Sequence, residues 1–366
     1  MGHSHHMSFT LPVSDSQCEC AVTWLQNIRK YPLICAAGVQ GSLQVAVDAP
    51  QVGLVDNPIF ARHHMSQFWE ENAVLELSIS TLAFDGHDFS SACEGIAAAG
   101  ALCVEPAFVA SYGPVDEASF SPAKAASLRN ASASAGLRCR TLSAHVDTGL
   151  PDAVEKLKRR LEFAAELGAV RLISNAAVAS RVDVFRQNLP AIEKAAGAAG
   201  VRVCLENPGD TRSVLASPEE IMTWGREFQG TFLGINLDFG NLYTASNGEI
   251  EPARCCEGAI AAAENFHLKE FSILPGGLQA CAIGDGVLDY ATILKAIIAT
   301  KPNATAGIEL PLRVFRPTGG TPQFGPVLQR EAIVEIMARS VAFIESACRE
   351  ASPDPARELN SPSVSY

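Results

Sequence analysis

The feature that most constrains this 366-residue chain is an apolar segment that ends in a metal-ligating side chain and recurs along the sequence. Residues 201–205 are apolar apart from one arginine and stop at Glu206. Three later segments lead in the same way into Asp238, His267 and Glu309, at intervals of about 30 to 40 residues. A buried carboxylate is costly unless it is paired or binds a metal, so the recurrence predicts a shared site.

The spacing of these segments predicts the fold. One strand, one helix and their loops occupy about 30 residues in a (β/α)8 barrel, and eight such units follow one another here. Glycine follows four of the predicted helices, at positions 100, 136, 168 and 200, as expected for left-handed helix caps. No GxGxxG follows the first strand, which argues against a dinucleotide-binding sheet. We therefore predict an α/β protein with a (β/α)8 TIM barrel as its single domain.

The barrel is predicted to cover residues 71–349. Within it, we expect a loop after Asp238, a helix over residues 251–263 and a Pro- and Gly-rich loop over residues 311–326. Residues 1–70 lack the barrel rhythm and are predicted to form a partly disordered N-terminal extension, with a short helix over 20–30 and a short strand over 42–47. His3, His5 and His6 in this extension resemble an expression tag. Residues 350–366, rich in Ser and Pro, are predicted to be a disordered tail.

Composition excludes several classes of partner. The 28 basic and 40 acidic residues give a net charge of −12, which argues against binding to nucleic acid or to an anionic membrane. No apolar run reaches the 18 or more residues of a membrane-spanning helix. The 11 cysteines are an odd number without a CxxC pair, which favours buried thiols in a reducing compartment. We expect a cytoplasmic protein that acts on a small molecule, with homo-oligomerisation left open.

The four strand-end residues should face one another, because parallel barrel strands end at the same mouth. Three carboxylates and one imidazole suit Mn²⁺, Mg²⁺ or Co²⁺ better than a thiolate-preferring metal. We predict one divalent ion held by Glu206, Asp238, His267 and Glu309, with Mn²⁺ first and Mg²⁺, Co²⁺ or Zn²⁺ as alternatives. The competing interpretation is four unrelated ion pairs, which the regular order of the four residues disfavours.

Five motifs carry a resemblance to a known family: Glu206-Asn-Pro, Asp238-Phe-Gly-Asn, His267-Leu-Lys, Gly307-Ile-Glu309 and Gly284-Asp-Gly-Val-Leu-Asp289. Together they resemble the sugar phosphate isomerase/epimerase superfamily of xylose isomerase-like barrels, over about residues 72–348. The resemblance implies a hydroxy-ketone substrate that chelates the metal and loses a proton beside its carbonyl to form an enediolate. In the ketose 3-epimerase branch two metal-bound glutamates remove and return this proton. The resemblance assigns that role here to Glu206 and Glu309.

Four further residues are candidate substrate ligands. Lys269 lies two residues beyond the ligand histidine, on the same face of its strand, and can hold a substrate oxygen or cap a loop carboxylate. His145 ends the third strand and Glu105 lies inside the second, so each is a candidate for substrate contact, with a structural hydrogen bond or ion pair as the alternative. Arg313 lies in the 311–326 loop, which is long enough to form a lid, and would suit a phosphate or carboxylate on the substrate.

The sequence also departs from the ketose 3-epimerase pattern. Residues 240–243 contain no second histidine, and residues 272–275 lack the arginine that commonly follows the seventh strand. These departures argue against a free-ketose 3-epimerase. The endonuclease IV branch needs several histidines for three metals, and the barrel has only His87, His145 and His267.

Three hypotheses for function remain. The first is a metal-dependent isomerase or epimerase of a sugar, keto-sugar or inosose. The second is a lyase that dehydrates a cyclic keto-polyol such as 3-dehydroshikimate or an inosose, since a β-hydroxyl can leave after the same proton abstraction. The third is a non-catalytic barrel that binds a metal or sugar, which the complete set of four ligands disfavours. Each implies a small carbohydrate or polyol as partner.

Overall fold

The computed structural model describes residues 75–351, except 111, 112, 114 and 302, and the backbone of three N-terminal strands. The chain divides into two units, Met1–Gln67 and Phe68–Tyr366. In the first unit, strands β1 (His6–Pro12), β2 (Leu33–Ala37) and β3 (Ser42–Asp48) form an antiparallel sheet with β3 in the centre. The strand predicted over 42–47 is therefore present. The helix predicted over 20–30 and most of the predicted tail lie outside the described residues.

The second unit is a (β/α)8 TIM barrel, which confirms the predicted fold. Its strands are β4 Leu75–Ser80, β5 Cys103–Glu105, β6 Ala107–Phe108, β7 Thr141–Ala144, β8 Arg171–Asn175, β9 Arg202–Glu206, β10 Leu233–Asp238, β11 Asn265–Leu268, β12 Phe271–Leu274, β13 Gly277–Ala280, β14 Ala304–Ile308, β15 Val314–Pro317 and β16 Gln323–Phe324. Its α-helices are α1 Phe89–Ala98, α2 Pro122–Ser134, α3 Ala153–Leu167, α4 Val182–Ala199, α5 Pro218–Glu227, α6 Phe239–Ala245, α7 Pro252–Cys255, α8 Glu257–Ala262, α9 Tyr290–Thr300 and α10 Arg330–Ala351. None of the described helices is both long and apolar enough to cross a membrane.

The barrel closes at a proline. The parallel strands follow the order β5-β4-β14-β11-β10-β9-β8-β7-β6, so that β5 and β6 stand at the two ends of one sheet. Pro106 separates them and has no N–H to donate, but its carbonyl accepts a hydrogen bond from the Ser143 amide at 3.0 Å. A parallel bridge between Cys103 and Arg138 completes the circle.

The barrel strands are buried because side chains fill the interior on one face and helices cover the other. β10, β11 and β14 are buried at every position. The helices end where the sequence predicts: α3 and α4 stop at Gly168 and Gly200, which adopt φ angles of 93° and 67°. The four parallel strands β9, β10, β11 and β14 lie side by side and end at one mouth, which sets the position of the candidate site.

The structure corrects three local predictions. The expected loop after Asp238 is helix α6, because the Asp238 side chain caps it by accepting the Asn241 amide at 2.9 Å. The helix expected over residues 251–263 is divided into α7 and α8 at Cys256, whose φ and ψ of −101° and 6° leave the helical region. The expected lid loop over residues 311–326 contains strands β15 and β16.

These two strands join a hairpin that the sequence analysis missed. β12 and β13 pair through a turn at Gly276, which has a φ of 86°. β13 then pairs with β15, and β15 with β16, to form a four-stranded antiparallel sheet. The segment that carries Arg313 is therefore held by pairing with the hairpin rather than left as an irregular lid.

Candidate metal centre and active site

The four predicted metal ligands come from four neighbouring strands. Glu206 and Asp238 are the last residues of β9 and β10, His267 lies in β11, and Glu309 directly follows β14. One ligand atom from each side chain lies within 4.8 Å of the others, and all four residues are buried. The structure thus brings the predicted set together at the carboxyl end of the barrel.

The side chains of this cluster contact one another directly. His267 Nδ1 lies 2.7 Å from Glu206 Oε1 and 3.7 Å from Glu309 Oε2. Lys269 Nζ lies 2.7 Å from both Asp238 Oδ2 and Glu309 Oε2. Lys269 therefore lies at the mouth, as predicted. Its ammonium contacts two of the three carboxylates in the predicted ligand set.

The charges of the cluster fit a divalent cation. The carboxylates of Glu206, Asp238, Glu309 and the adjoining Glu105 contribute four negative charges, and Lys269 and a protonated His267 contribute two positive charges, which leaves two negative charges. A buried charge of this size is costly unless it is compensated. Oxygen donors with one imidazole are ligands that Mn²⁺, Mg²⁺ and related ions accept. The buried cluster can therefore hold one divalent metal ion.

Burial and charge shift the acidities in opposite directions within the cluster. Burial opposes ionisation of Glu206, but His267 and His145 outweigh it and lower the pKa of this carboxyl. Burial raises the pKa of Asp238, an effect that Lys269 reduces and the neighbouring carboxylates reinforce. Burial also opposes the charged form of His267, yet the surrounding carboxylates, Glu105 first, raise its pKa well above the ordinary value. The cluster thus retains excess negative charge that a bound cation would neutralise.

Asn207, the second residue of the Glu206-Asn-Pro motif, holds the neighbouring ligand in place. Its side-chain oxygen accepts the Asp238 amide at 2.7 Å, and its side-chain nitrogen donates to the Asp238 carbonyl at 2.8 Å. Asn241 donates to the Asn207 carbonyl at 3.1 Å and accepts from Lys269 Nζ at 3.1 Å. The motif residues therefore form one network around Asp238. The role of Asn207 in this network was not predicted from the sequence.

Two buried residues that sequence reasoning missed support the end of β11. The Tyr290 hydroxyl accepts the Lys269 amide at 2.7 Å and donates to the Lys269 carbonyl at 2.9 Å. Glu270 Oε1 accepts the amides of Phe271, Val287 and Leu288 at 3.0–3.1 Å. Burial raises the pKa of Glu270 to about 7, although these amides oppose the rise. In the sequence, the signal for this contact was the acidic residue directly after His267-Leu-Lys, together with the Gly284-Asp-Gly motif further along the chain.

His145 lies beside the cluster, as expected for a residue at the end of the third strand. Its Nδ1 is 2.8 Å from Asn175 Oδ1 and 3.6 Å from Glu206 Oε2. Its Nε2 is buried and has no hydrogen-bond partner among the described residues. The ring nitrogen of His145 that faces Glu206 is thus Nδ1, and the unpartnered nitrogen is on the other side of the ring.

The other two candidate substrate ligands have protein partners. Glu105 is fully buried and lies 3.0 Å from His267 Nε2, on the side of the imidazole opposite Glu206. Arg313 pairs with Asp85 Oδ2 at 2.6 Å and donates to the Gly325 carbonyl at 3.1–3.2 Å. Both side chains are thus engaged in contacts within the protein.

Comparisons with known proteins agree with this architecture. A family model described as a xylose isomerase-like TIM barrel matches residues 93–333. A search of curated proteins finds no match to this sequence. Several solved structures share the fold at identities of 12–15%, and at these low identities the likeness bears on the fold alone.

An L-ribulose 3-epimerase superposes with a TM-score of 0.56 at 15% identity, covering 80% of this chain and 100% of that one. A probable 3-DHS dehydratase of petrobactin synthesis from Bacillus anthracis has a TM-score of 0.55 at 13% identity, covering 74% of this chain and 99% of the other. A xylose isomerase-like TIM barrel protein from Mycobacterium smegmatis, in complex with magnesium, has a TM-score of 0.57 at 12% identity over 76% of this chain and 97% of that one. Since the family model matches more than half of its length, this chain belongs to the xylose isomerase-like TIM barrel family.

Proposed function

We propose that this protein is a metal-dependent isomerase or epimerase that acts on a sugar, keto-sugar or inosose by removing a proton beside a carbonyl. The observation that carries the proposal is the arc of four buried ligands on adjacent strands, with a glutamate at each end. Because β10 and β11 separate the strands of Glu206 and Glu309, these two carboxylates approach the cluster from different sides. That arrangement supports proton removal by one glutamate and return by the other.

A divalent ion bound by the four ligands would act as a Lewis acid on the substrate carbonyl. We assign the ion as Mn²⁺ first, with Mg²⁺, Co²⁺ and Zn²⁺ as alternatives, on the basis of the oxygen-rich donor set. The glutamates supply the proton chemistry. Glu206 meets His267 and Asn236 through Oε1, at 2.7 and 3.2 Å, while its Oε2 faces His145. One oxygen of this carboxylate is therefore suited to ligation and the other to proton transfer.

Lys269 is assigned to charge stabilisation. Its buried ammonium would lie close to the negative charge that develops on a substrate oxygen as the enediolate forms, and a fixed cation in a buried site stabilises such charge. The Tyr290 bridge to its peptide group limits the movement of the Lys269 backbone. We expect this lysine to contribute to the chemical step more than to substrate binding.

The substrate class is proposed to be an uncharged polyol. Arg313, the candidate ligand for a phosphate or carboxylate, is bound to Asp85 and to the Gly325 carbonyl. A substrate anion at Arg313 would have to displace these contacts. This favours a carbohydrate or cyclic polyol without a phosphate.

A second candidate function is the dehydration of a cyclic keto-polyol, of the 3-dehydroshikimate or inosose type. The observation that favours it is the unpartnered Nε2 of His145, a residue whose Nδ1 lies 3.6 Å from Glu206 Oε2. A group at that position can hold or protonate a β-hydroxyl as it leaves after proton abstraction. His145 would then separate the two functions, since an epimerase needs no such acid.

Solvent deuterium exchange tests the proposal. The metal-loaded protein is incubated in D₂O with keto-sugars, inososes and 3-dehydroshikimate, and each compound is followed by NMR. We expect deuterium at a carbon beside a carbonyl, with an epimer or isomer as product, and a loss of about 100-fold or more in Glu309→Gln. The exposed Glu162→Gln change is the matched control and should exchange as the wild type does.

The products distinguish the alternatives. A dehydrated enone that depends on His145 would favour the lyase over the epimerase. Bound substrate and metal without exchange at any carbon would overturn both enzymatic proposals and favour a binding protein.

A further inference from the structure

We propose that Glu105 is a positioning residue for the metal centre, which holds His267 so that Nε2 donates to its carboxylate and Nδ1 faces the other ligands. This inference rests on the proposed function, because it takes the buried cluster to be a metal site. It assigns Glu105 a role behind a ligand rather than against the substrate.

Glu105 is surrounded by protein on the side away from the cluster. It is the last residue of β5, is 0% exposed, and lies 3.0 Å from His267 Nε2. Ser143 Oγ donates to its Oε1 at 2.7 Å, and Ser78 Oγ lies 3.5 Å from its Oε2. Both carboxylate oxygens therefore face side chains of the barrel interior.

Strand β14 packs closely against Glu105 and His267. A Cβ atom at Gly307 of β14 would lie 2.8 Å from Glu105 Oε2 and 3.3 Å from His267 Cδ2. The glycine thus permits the carboxylate and the imidazole to pack against the backbone of β14. Glu105 is therefore enclosed by Ser143, Ser78, His267 and the backbone of β14.

The chemistry of histidine ligands explains what Glu105 would do. A neutral imidazole binds a metal through one nitrogen and carries its proton on the other, and a carboxylate acceptor selects this tautomer and orients the ring. His267 has a carboxylate of the ligand set near Nδ1 and Glu105 near Nε2. Removal of Glu105 would leave a buried N–H without an acceptor and free the ring to reorient.

The experiment measures Mn²⁺ affinity, by electron paramagnetic resonance of the free ion during titration, together with thermal unfolding of the metal-free protein. We expect Glu105→Ala to weaken Mn²⁺ binding roughly 10- to 100-fold. Glu105→Gln keeps an acceptor oxygen but loses the charge, so its affinity should fall between those of the alanine variant and the wild type. Glu345→Gln makes the same change at a half-buried carboxylate of α10, which pairs with Arg349 of the same helix, and should bind Mn²⁺ as the wild type does.

A second measurement needs neither turnover nor metal. In ¹⁵N-labelled protein, the Nε2 proton of His267 should give a downfield resonance that exchanges slowly with solvent and is absent from Glu105→Ala. Should Glu105→Ala not fold, Ser143→Ala removes the donor that holds Glu105 and should weaken Mn²⁺ binding in the same direction.

Unchanged Mn²⁺ affinity in folded Glu105 variants, or an Nε2 proton unaffected by the alanine change, would overturn the positioning role. This outcome is distinct from failure of the proposed function, which would show as intact Mn²⁺ binding without isotope exchange in the wild type. Weakened binding together with loss of the Nε2 resonance supports the inference whatever the substrate is.

Discussion

The positive charge of Lys269 has two opposite effects at the candidate metal site. Its ammonium contacts Asp238 Oδ2 and Glu309 Oε2, each at 2.7 Å, and so stabilises two ionised carboxylates in a buried position. The same positive charge repels any metal ion bound nearby, because charges only a few ångströms apart interact strongly in a poorly solvated site. Metal affinity and catalysis should therefore respond to its removal in opposite directions.

We predict that Lys269→Met raises Mn²⁺ affinity about tenfold, because one repelling charge is lost. Isotope exchange should fall about 100-fold, because the charge on the substrate oxygen loses its partner. Mn²⁺ titration and deuterium exchange measure the two effects, with the exposed Lys295→Met as control. Weaker Mn²⁺ binding in Lys269→Met would show that the lysine supports the ligands more than it repels the metal.

At the scale of elements, the end of β11 is held by the segment that leads into α9. Tyr290 bridges the amide and carbonyl of Lys269, and Glu270 binds the amides of Val287 and Leu288. The Gly240 position of α6 also approaches closely, since a Cβ there would lie 2.6 Å from the Lys269 carbonyl oxygen. Two separate parts of the chain, the 287–290 segment and α6, thus contact the end of the strand that carries His267 and leads into Lys269.

We predict that Tyr290→Phe lowers the free energy of unfolding by about 1–3 kcal/mol, because the Lys269 amide and carbonyl lose their shared partner. Urea unfolding measures this effect. Deuterium incorporation into the substrate in D₂O should also fall, because Lys269 loses its fixed position. Tyr243→Phe, at a half-buried tyrosine of α6, is the comparison. Unaltered stability would mean that water or another group replaces the hydroxyl.

Glu270 predicts a pH dependence of stability. Its pKa in the folded protein is raised to about 7 from an ordinary value of 4.5, mainly by burial. A raised carboxyl pKa contributes stability that is fully present below about pH 4.5 and is lost as pH rises through about 7, by about 3 kcal/mol in total. Glu270→Gln should remove this loss, so the variant should lose less stability than the wild type between pH 5 and pH 8.

Urea unfolding at both pH values measures that difference, with Glu162→Gln as an exposed control for the same chemical change. An equal change of stability with pH in Glu270→Gln and the wild type would contradict the assignment to Glu270.

For the whole molecule, the candidate metal centre joins four of the eight barrel strands at one end. Without a cation, the barrel holds its excess negative charge in a buried place, and this opposes folding. A metal that binds only the folded barrel adds stability by mass action. Metal content should therefore influence the stability of the entire domain as well as activity.

We predict that EDTA lowers the melting temperature and that Mn²⁺ restores it. At a metal concentration of about 100 times Kd the gain is about 2.7 kcal/mol, which corresponds to a shift of roughly 5 °C or more for a domain of this size. Thermal unfolding with and without Mn²⁺ measures the shift, and Glu309→Gln should lose most of it. An equal Mn²⁺ effect in that variant would place the stabilising ion elsewhere.

The sequence by itself was sufficient to predict the barrel and to bring the four predicted metal ligands together. The alternation of apolar strands with glycine-terminated helices is a local, periodic signal, and parallel strands of a barrel end at one mouth. For that reason the position of a residue in the repeat placed Glu206, Asp238, His267 and Glu309 together before any contact was known. The ends of α3 and α4 at Gly168 and Gly200 were also predicted correctly, because a glycine after a helix is itself a local signal.

Only the tertiary structure decided what surrounds these ligands. Glu105 and His267 are 162 positions apart, and β13 pairs with β15 across the intervening α9 and β14. Such contacts depend on how distant segments pack, and a local pattern contains no information about them. A strand-end carboxylate looks the same in sequence whether it binds a metal, as proposed for Glu206, or contacts another buried side chain, as Glu105 contacts His267. The sequence therefore determined which residues reach the mouth, and packing decided which of them face it.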